Sequence, residues 1–445
     1  MEKSRIIEVL GRWNFWGRDL DVGILREGYV DTLLRFTKTG KIVSIVGVRR
    51  SGKTTLMKQM ARILIDQGTS RNNFLIVNFE EPEFVGADVS LLQRIYEAYL
   101  EIMKPVGKPF IFLDEIQNVK GWERFVRSLN ERGEAFIVIS GSSSKLLSRE
   151  LASVLTGRQI YLEVLPLSFR EFLSFRGLEI REAKDVLLRS LEVKRLFREY
   201  MEIGGFPEVV LTGDSDLRMR ILRGYYEDIL GRDVMQRFGV KKFDKLKALA
   251  RFYLTNVSSP ISFRRVAGFV GLPTETVRRF SSYLEMANLV FFTKRFSWSV
   301  KEQENSPRKV YSIDVGLSNA IGFRFTENLG KLAENLVALE LRRRQLRQHP
   351  DMEFFYWKDR AQREVDFVIK EGPQVKRLIQ VCWDSTDEET RRREVGGLHE
   401  AMDKFGLREG LILTEDFEGE EELNGRRVLY RPVWNWLLES QFSFI

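Results

Sequence analysis

The sequence predicts an α/β protein: a parallel sheet covered by helices at the N-terminus, a helical segment, a three-helix unit with a β-hairpin, and a second α/β unit. Three observations carry this expectation. Runs rich in β-branched and aromatic residues at 41–48 (KIVSIVGV), 73–84 (NFLIVNFEEPEF), 109–119 (PFIFLDEIQNV) and 134–147 (EAFIVISGSSSKLL) read as strands, and the helical spacing of 53–68 (KTTLMKQMARILIDQG) follows the first. From 176 to 240 apolar residues recur at intervals of three and four, the mark of helices with one buried stripe. Strand-like runs then return at 363–371 (REVDFVIKE) and 377–384 (RLIQVCWD), behind the helical 330–344 (GKLAENLVALELRRR).

A chain of 445 residues is long enough for about two to four units, each with its own core. Its hydrophobic content of 43% suits a globular protein, and runs such as Pro109 to Leu113 fall far short of the roughly 20 apolar residues of a bilayer span. No membrane partner is expected. The first residues, MEKSRIIEVLGRWNFWGRDL, scatter charge through any apolar stretch, so no secretory signal is expected and the reading is cytoplasmic. A single cysteine, Cys382, excludes an intramolecular disulfide, and two histidines, His349 and His399, leave no ligand set for structural zinc. A net charge of +8 favours an anionic partner such as nucleic acid, and the heavy use of Lys, Arg and Glu also suits a thermophile.

The first strand runs into Gly47-Val48-Arg49-Arg50-Ser51-Gly52-Lys53-Thr54-Thr55, which satisfies the pattern glycine, four residues, glycine-lysine-threonine between a strand and a helix. Glycines let main-chain N–H groups converge on phosphate oxygens, and the helix N-terminus adds its positive dipole end. The nine residues from Gly47 to Thr55 are therefore the candidate nucleotide-triphosphate loop of a P-loop NTPase sheet, with Lys53 reaching the β- and γ-phosphates and the Thr54 hydroxyl on Mg²⁺. The strand at 109 ends in Asp114-Glu115. Asp114 is the candidate metal carboxylate, and Glu115 is placed to polarise an attacking water as general base. The 134–147 run is expected to lie between these two strands. Its polar end offers Ser140 and Ser142 as γ-phosphate sensors, or equally as a serine-rich N-cap for a helix from Lys145. Glu80 and Glu81, at the end of the 73–84 strand, either border the metal site or are solvated loop carboxylates.

Taken in order, GVRRSGKTTL, FLDEIQNV, ISGSSSKLL, LTGR and PLSFREF resemble a family of archaeal and bacterial AAA-type ATPases whose phosphate-loop domain precedes a winged helix and a restriction-endonuclease-like C-terminal domain. The likeness covers nearly the whole chain. Its Walker motifs are generic; the serial order of Gly-Ser-Ser-Ser, Thr-Gly-Arg and Pro-Leu-Ser-Phe-Arg-Glu-Phe is more specific. The resemblance implies ATP and Mg²⁺ as cofactors, hydrolysis of ATP, and DNA-linked roles. It puts Arg158 at the family's Gly-Arg position, where a guanidinium serves as a γ-phosphate sensor or as a finger from a neighbouring subunit of a homo-oligomer, a ring or hexamer among them. Pairing with a nearby carboxylate is the structural alternative for Arg158.

On this reading the domains are 1–175, the ATPase; 176–240, a helical lid broken by GGFPEVVL; 241–312, a winged helix-turn-helix; and 313–445, a nuclease-like α/β domain. In the third, Gly271-Leu272-Pro273 makes the turn. The helix after it would offer Thr274, Thr276, Arg278 and Arg279 to DNA, with Lys294 and Arg295 on the wing formed by VFFTKRFSW and PRKVYSID; such units also dock proteins. In the fourth, Glu334 and Asp366 stand where a nuclease core carries acids. Gln380 and Cys382 replace the further acid and lysine, so the fold is expected to persist without strand cleavage. The basic runs 341–347 and 391–393 are phosphate contacts or solvated helix faces. The C-terminal PVWNWLLESQFSFI packs back on its domain or, through Gln441 to Phe444, docks a protein such as a sliding clamp. The leading functional expectation is an ATP-driven, DNA-associated motor or remodeller. A nucleotide-controlled assembly switch without DNA and an active metal-dependent nuclease are its rivals.

Overall fold

Five apolar runs in the first part of the chain become strands of one parallel sheet: β1 (Ile42–Gly47), β2 (Phe74–Asn78), β3 (Phe110–Asp114), β4 (Phe136–Ser140) and β5 (Gln159–Val164). The computed structural model describes residues 2–141, 157–323, 329–384 and 388–439. Strand order is β2-β3-β4-β1-β5, so β4 lies between the strands that carry the glycine loop and the Asp-Glu pair, as expected. Alternate residues feed opposite faces, as the pleat requires. Ile42, Val46, Leu75, Val77, Ile111 and Leu113 join α1 (Lys3–Gly11), α4 (Val89–Met103) and α5 (Trp122–Arg132) in one core. Val43, Ile45, Phe74, Ile76 and Phe112 join α2 (Glu27–Thr37) and α3 (Lys53–Asp66) in the other. Burial on both faces explains why these strands read as continuous apolar runs rather than as alternating ones.

The chain divides into two compact units, 1–165 and 166–445. Phe169 and Phe172, on α6 (Phe169–Phe175), bury their rings against residues further along the second unit. Phe169 lies 5.3 Å from Phe197 and 5.5 Å from Tyr200, and Phe172 lies 5.0 Å from Tyr200. A capping box of Ser168 and Glu171 starts that helix.

The helices of the second unit continue as α7 (Ala183–Leu188), α8 (Ser190–Ile203), α9 (Pro207–Leu211) and α10 (Ser215–Asp228), the last running into a π-helical stretch, Ile229–Gln236. Next come α11 (Phe243–Thr255), β6 (Ser259–Ile261), α12 (Phe263–Val270), α13 (Thr274–Met286), β7 (Val290–Thr293), α14 (Val300–Asn305), β8 (Arg308–Ser312) and α15 (Val315–Ile321). β6, β8 and β7 form a small antiparallel sheet in that order. Asp314, fully buried, ties the helical segment to this part by accepting the N–H of Gly205 at 2.7 Å and of Leu317 at 3.1 Å. The backbone approaches closely there: a Cβ on Gly204 would meet Asp314 Oδ1 at 2.1 Å.

The chain closes with α16 (Leu329–Arg347), β9 (Met352–Lys358), β10 (Glu364–Glu371), β11 (Gln374–Val381), α17 (Glu388–Phe405), β12 (Glu409–Thr414), β13 (Gly419–Leu423), β14 (Arg426–Pro432) and α18 (Val433–Glu439). The strands make a mixed sheet in the order β13-β14-β12-β11-β10-β9. The reading of the first basic run needs amending. The cluster 341–347 is neither a free phosphate contact nor a wholly solvated face, because Arg343 and Arg344 are buried. Arg343 donates to the carbonyls of Pro166 and Leu167 at 3.0 and 3.1 Å, and Arg344 lies 4.0 Å over the Trp436 ring. Trp434, Trp436, Leu437 and Leu438 pack inward; residues 440–445, and with them the tail from Gln441 to Phe444, lie outside the described residues.

Candidate nucleotide site

β1 ends at Gly47, whose φ of +147° and closeness to β5 leave no room for a side chain: a Cβ would sit 2.2 Å from the Val164 carbonyl oxygen. Arg50 and Gly52 also have positive φ, 68° and 95°, so the backbone between strand and helix curls into the concave form that gathers N–H groups. Gly52 precedes α3 without a side-chain cap, which leaves the N–H groups of the first helical turn to a ligand. Ser51 is fully buried, and its Oγ finds no hydrogen-bond partner among the described residues. Lys53, 6% exposed, donates from Nζ to the carbonyls of Gly47 and Val48, both at 3.2 Å. Val48 is buried and Thr55 half-buried behind the loop, and Arg49 pairs with Glu80 at 3.1 Å.

The parallel sheet brings the C-terminal ends of β1, β3 and β4 to one edge, and the acids assemble there. Asp114, 1% exposed, accepts the Thr54 hydroxyl at 2.6 Å on one carboxylate oxygen and the Ser140 hydroxyl on the other. Ser140 Oγ also accepts the main-chain N–H of Glu115 at 3.3 Å, and Glu115 takes the left-handed φ of 51° that turns the chain out of β3. Glu115 accepts from the Gln117 amide. Loss of water contact raises the Glu115 carboxyl above its ordinary value, the Lys53 ammonium pulls it back, and neighbouring Asp114 adds to the rise. Glu81 faces elsewhere, accepting the indole N–H of Trp13 at 2.7 Å.

Arg158 makes the carboxylate pairing given as its alternative. Its carbonyl accepts the N–H of Ile42, so Arg158 sits where β1 begins, at the sheet edge opposite the loop, and its guanidinium pairs with Glu131 at 3.1 Å. It is thus not assembled with Lys53, Asp114, Glu115 and Ser140 within this chain. Ser142 lies outside the described residues, as does the helix expected from Lys145. Two contributors escaped the sequence reading. Gln117 holds Glu115, and Arg26, 3% exposed, braces the loop by donating to the carbonyls of Ser51 at 2.9 Å and Leu165 at 3.1 Å. Gln117 lies two residues beyond the acidic pair and was within reach of a motif search. Arg26 precedes the loop by a whole helix, and nothing local marks it.

The donor set suits a magnesium nucleotide. Thr54 Oγ1 and Asp114 supply the hard oxygens that Mg²⁺ prefers, and the glycine-curled backbone, the uncapped helix start, Lys53 and the unpartnered Ser51 hydroxyl suit phosphate oxygens. The residues expected to meet DNA are less uniform. On α13, Thr274 and Thr276 are half-buried and Arg278 and Arg279 exposed; Arg278 stands 3.7 Å from Glu275 and 5.3 Å over the Phe263 ring. Lys294 and Arg295 are not on a free wing. Lys294 pairs with Glu304, Arg295 donates to the Lys358 carbonyl, and Phe296 N–H reaches the Tyr356 carbonyl at 2.6 Å, so this segment runs along β9.

A five-stranded parallel sheet in this order, with a glycine loop closing β1 and an Asp-Glu pair closing β3, defines a P-loop protein of the AAA type. A family model described as an AAA domain matches residues 39–173, and two described as domains of unknown function, DUF8612 and DUF4143, match 194–328 and 329–430. An uncharacterized protein of Methanocaldococcus jannaschii is 33% identical over 89% of this chain and 88% of its own. One of Haemophilus influenzae is 31% identical over 94% and 99%. The chain belongs to the family of these relatives, and its residues 39–173 are the part that matches an AAA domain. Among solved structures it is similar to a Walker-type ATPase of Pyrococcus abyssi, at 12% identity, 67% of this chain and 96% of that one, with a TM-score of 0.44. No helix among the described residues is long and apolar enough to cross a membrane.

Proposed function

We propose that this protein is a cytoplasmic, Mg²⁺-dependent ATPase acting on DNA or on a complex assembled with it, and that it works as a homo-oligomer. The observation that carries the enzymatic part is the hydrogen-bonded chain Thr54–Asp114–Ser140–Glu115 beside Lys53, which sets a metal carboxylate and a candidate base at the mouth of a phosphate loop. When bound, Mg²⁺-ATP supplies the phosphoanhydride and the bridging cation. Residues Gly47 to Thr55 hold the phosphates by main-chain N–H groups, Thr54 Oγ1 and Asp114 hold the cation, and Lys53 offsets charge that grows on the transferring group. Glu115 takes the proton of the attacking water on a carboxylate oxygen whose raised affinity for protons suits a base. Arg158, exposed enough to meet a second copy, is assigned to a neighbour's site rather than its own.

DNA association rests on the net charge of +8 and on Arg278 and Arg279, exposed on the second helix of a helix–turn–helix backed by a three-stranded sheet, the arrangement of a winged helix. One observation favours the switch reading instead: Lys294 and Arg295 are spent within the protein, leaving fewer cations for phosphate. Phosphate release by parent and Lys53→Ala proteins, with and without duplex DNA, separates these readings. The ATPase assignment expects turnover lost in Lys53→Ala. DNA stimulation supports the remodeller; DNA-indifferent turnover with nucleotide-dependent oligomer size supports the switch. Equal turnover by both proteins refutes the ATPase.

A further inference from the structure

A buried charge cluster of the second unit lies far from the nucleotide loop in sequence. Lys309, in the middle strand of the small sheet, is 1% exposed. Its ammonium lies 2.9 Å from Glu334 on α16 and 2.8 and 2.7 Å from Glu364 and Asp366 on β10. The Tyr311 hydroxyl donates to Glu334 at 2.8 Å, and Asp366 also accepts the Val381 N–H at 2.9 Å. Gln380, 3% exposed on β11, accepts the Asp366 N–H at 3.0 Å.

Three carboxylates from a helix and a strand converging on one point are the donor set of a hard divalent cation, and here that point is filled by a cation belonging to the chain itself. Glu364 also pairs with Lys358 at 3.1 Å, at the more exposed side of the cluster, so Lys309 is the cation that Glu334 and Asp366 share in its buried part. As the chain stands, no group of three or more acidic, histidine or cysteine side chains is arranged to hold a metal among the described residues. We propose that the Lys309 ammonium stands in the seat of a divalent metal ion, as a tethered cation that closes a nuclease-type centre formed by Glu334, Glu364 and Asp366.

Once Lys309 is removed, Glu334, Glu364 and Asp366 keep the capacity to bind Mg²⁺ or Mn²⁺. The C-terminal α/β part serves as a non-cleaving module whose internal ion cluster fastens β8 to α16 and β10.

The test uses the full chain without nucleotide and Mn²⁺ as the probe, followed by equilibrium dialysis and thermal unfolding. Lys309→Ala is expected to take up one more equivalent of Mn²⁺ than the parent, and saturating Mn²⁺ to raise its Tm by about 4 °C or more. In Lys309→Ala/Asp366→Asn both gains should disappear, which separates this seat from any Mn²⁺ held by Thr54 and Asp114. A folded Lys309→Ala protein that binds no more Mn²⁺ than the parent overturns the proposal, as does a parent that loses an equivalent on Asp366→Asn. If Lys309→Ala does not fold in metal-free buffer, recovery of folded protein with Mn²⁺ alone supports the proposal. Equal failure with and without Mn²⁺ overturns it. None of these outcomes bears on the ATPase reading, whose residues lie in the first unit.

Discussion

Replacing Ser140 by alanine removes one hydroxyl that serves both acids at once. Ser140 Oγ donates to a carboxylate oxygen of Asp114 and accepts the Glu115 N–H at 3.3 Å, in a place with no solvent exposure. A hydrogen bond to an ionised group contributes about 1.5–3 kcal/mol, and an N–H left buried without a partner costs about 1–3 kcal/mol. Since the second bond is long, the lower ends apply, and the expected loss is about 3 kcal/mol. For a unit of this size that lowers the Tm of the first unit by roughly 10 °C. The consequence for turnover is separate. Without Ser140, Asp114 keeps only the Thr54 hydroxyl and the turn at Glu115 loses its side-chain tie to β4, and misplacement of a base by a fraction of an ångström lowers kcat by about 10- to 100-fold. Affinity for nucleotide should stay within about threefold, because Lys53 and the loop do not touch Ser140. Differential scanning fluorimetry gives the first quantity, coupled phosphate release the second, and titration with a fluorescent ATP analogue the third. Ser140→Thr, which keeps a hydroxyl, should recover most of the Tm. A Ser140→Ala protein with parental Tm and parental kcat would refute the reasoning, for the serine would then hold neither acid.

Two further expectations follow from placement. Arg158→Ala should leave ATP affinity within about twofold, because its guanidinium pairs with Glu131 at the far edge of the sheet; a tenfold loss in calorimetry on the monomer would contradict that position. Arg278→Glu/Arg279→Glu should weaken duplex binding and make the plot of log affinity against log salt shallower by about 2, whereas Lys294→Ala should leave the slope unchanged; fluorescence anisotropy across a salt series distinguishes them.

Much of the first unit was legible in the sequence because its strands are buried on both faces. Val43 and Ile45 serve one core while Ile42 and Val46 serve the other, so the run stays apolar and ends abruptly in glycine. The Asp-Glu pair and Ser140 were legible for a related reason: parallel strands finish at a common edge, so polar residues at their ends must meet. What the residues hid were pairings between distant charges. Arg343 and Arg344 look like a solvated basic face until the carbonyls of Pro166 and Leu167 and the Trp436 ring are found beside them. Lys309, within PRKVYSID, carries no local mark of its partners, since Glu334, Glu364 and Asp366 come later in the chain. Arg158 belongs to a recognisable motif, but the motif says nothing of which sheet edge it occupies; that depends on the register of β5 against β1.

The central claim is that Glu115 withdraws a proton from water at a nucleotide held by the loop. Glu115→Gln keeps the shape of the side chain and its contact with Gln117 while removing the base. Single-turnover hydrolysis of radiolabelled ATP with Mg²⁺, with affinity measured in parallel, should give binding within about threefold of the parent and a rate at least about 100-fold lower. Parental turnover by Glu115→Gln, or no ATP binding by the folded parent, would contradict it.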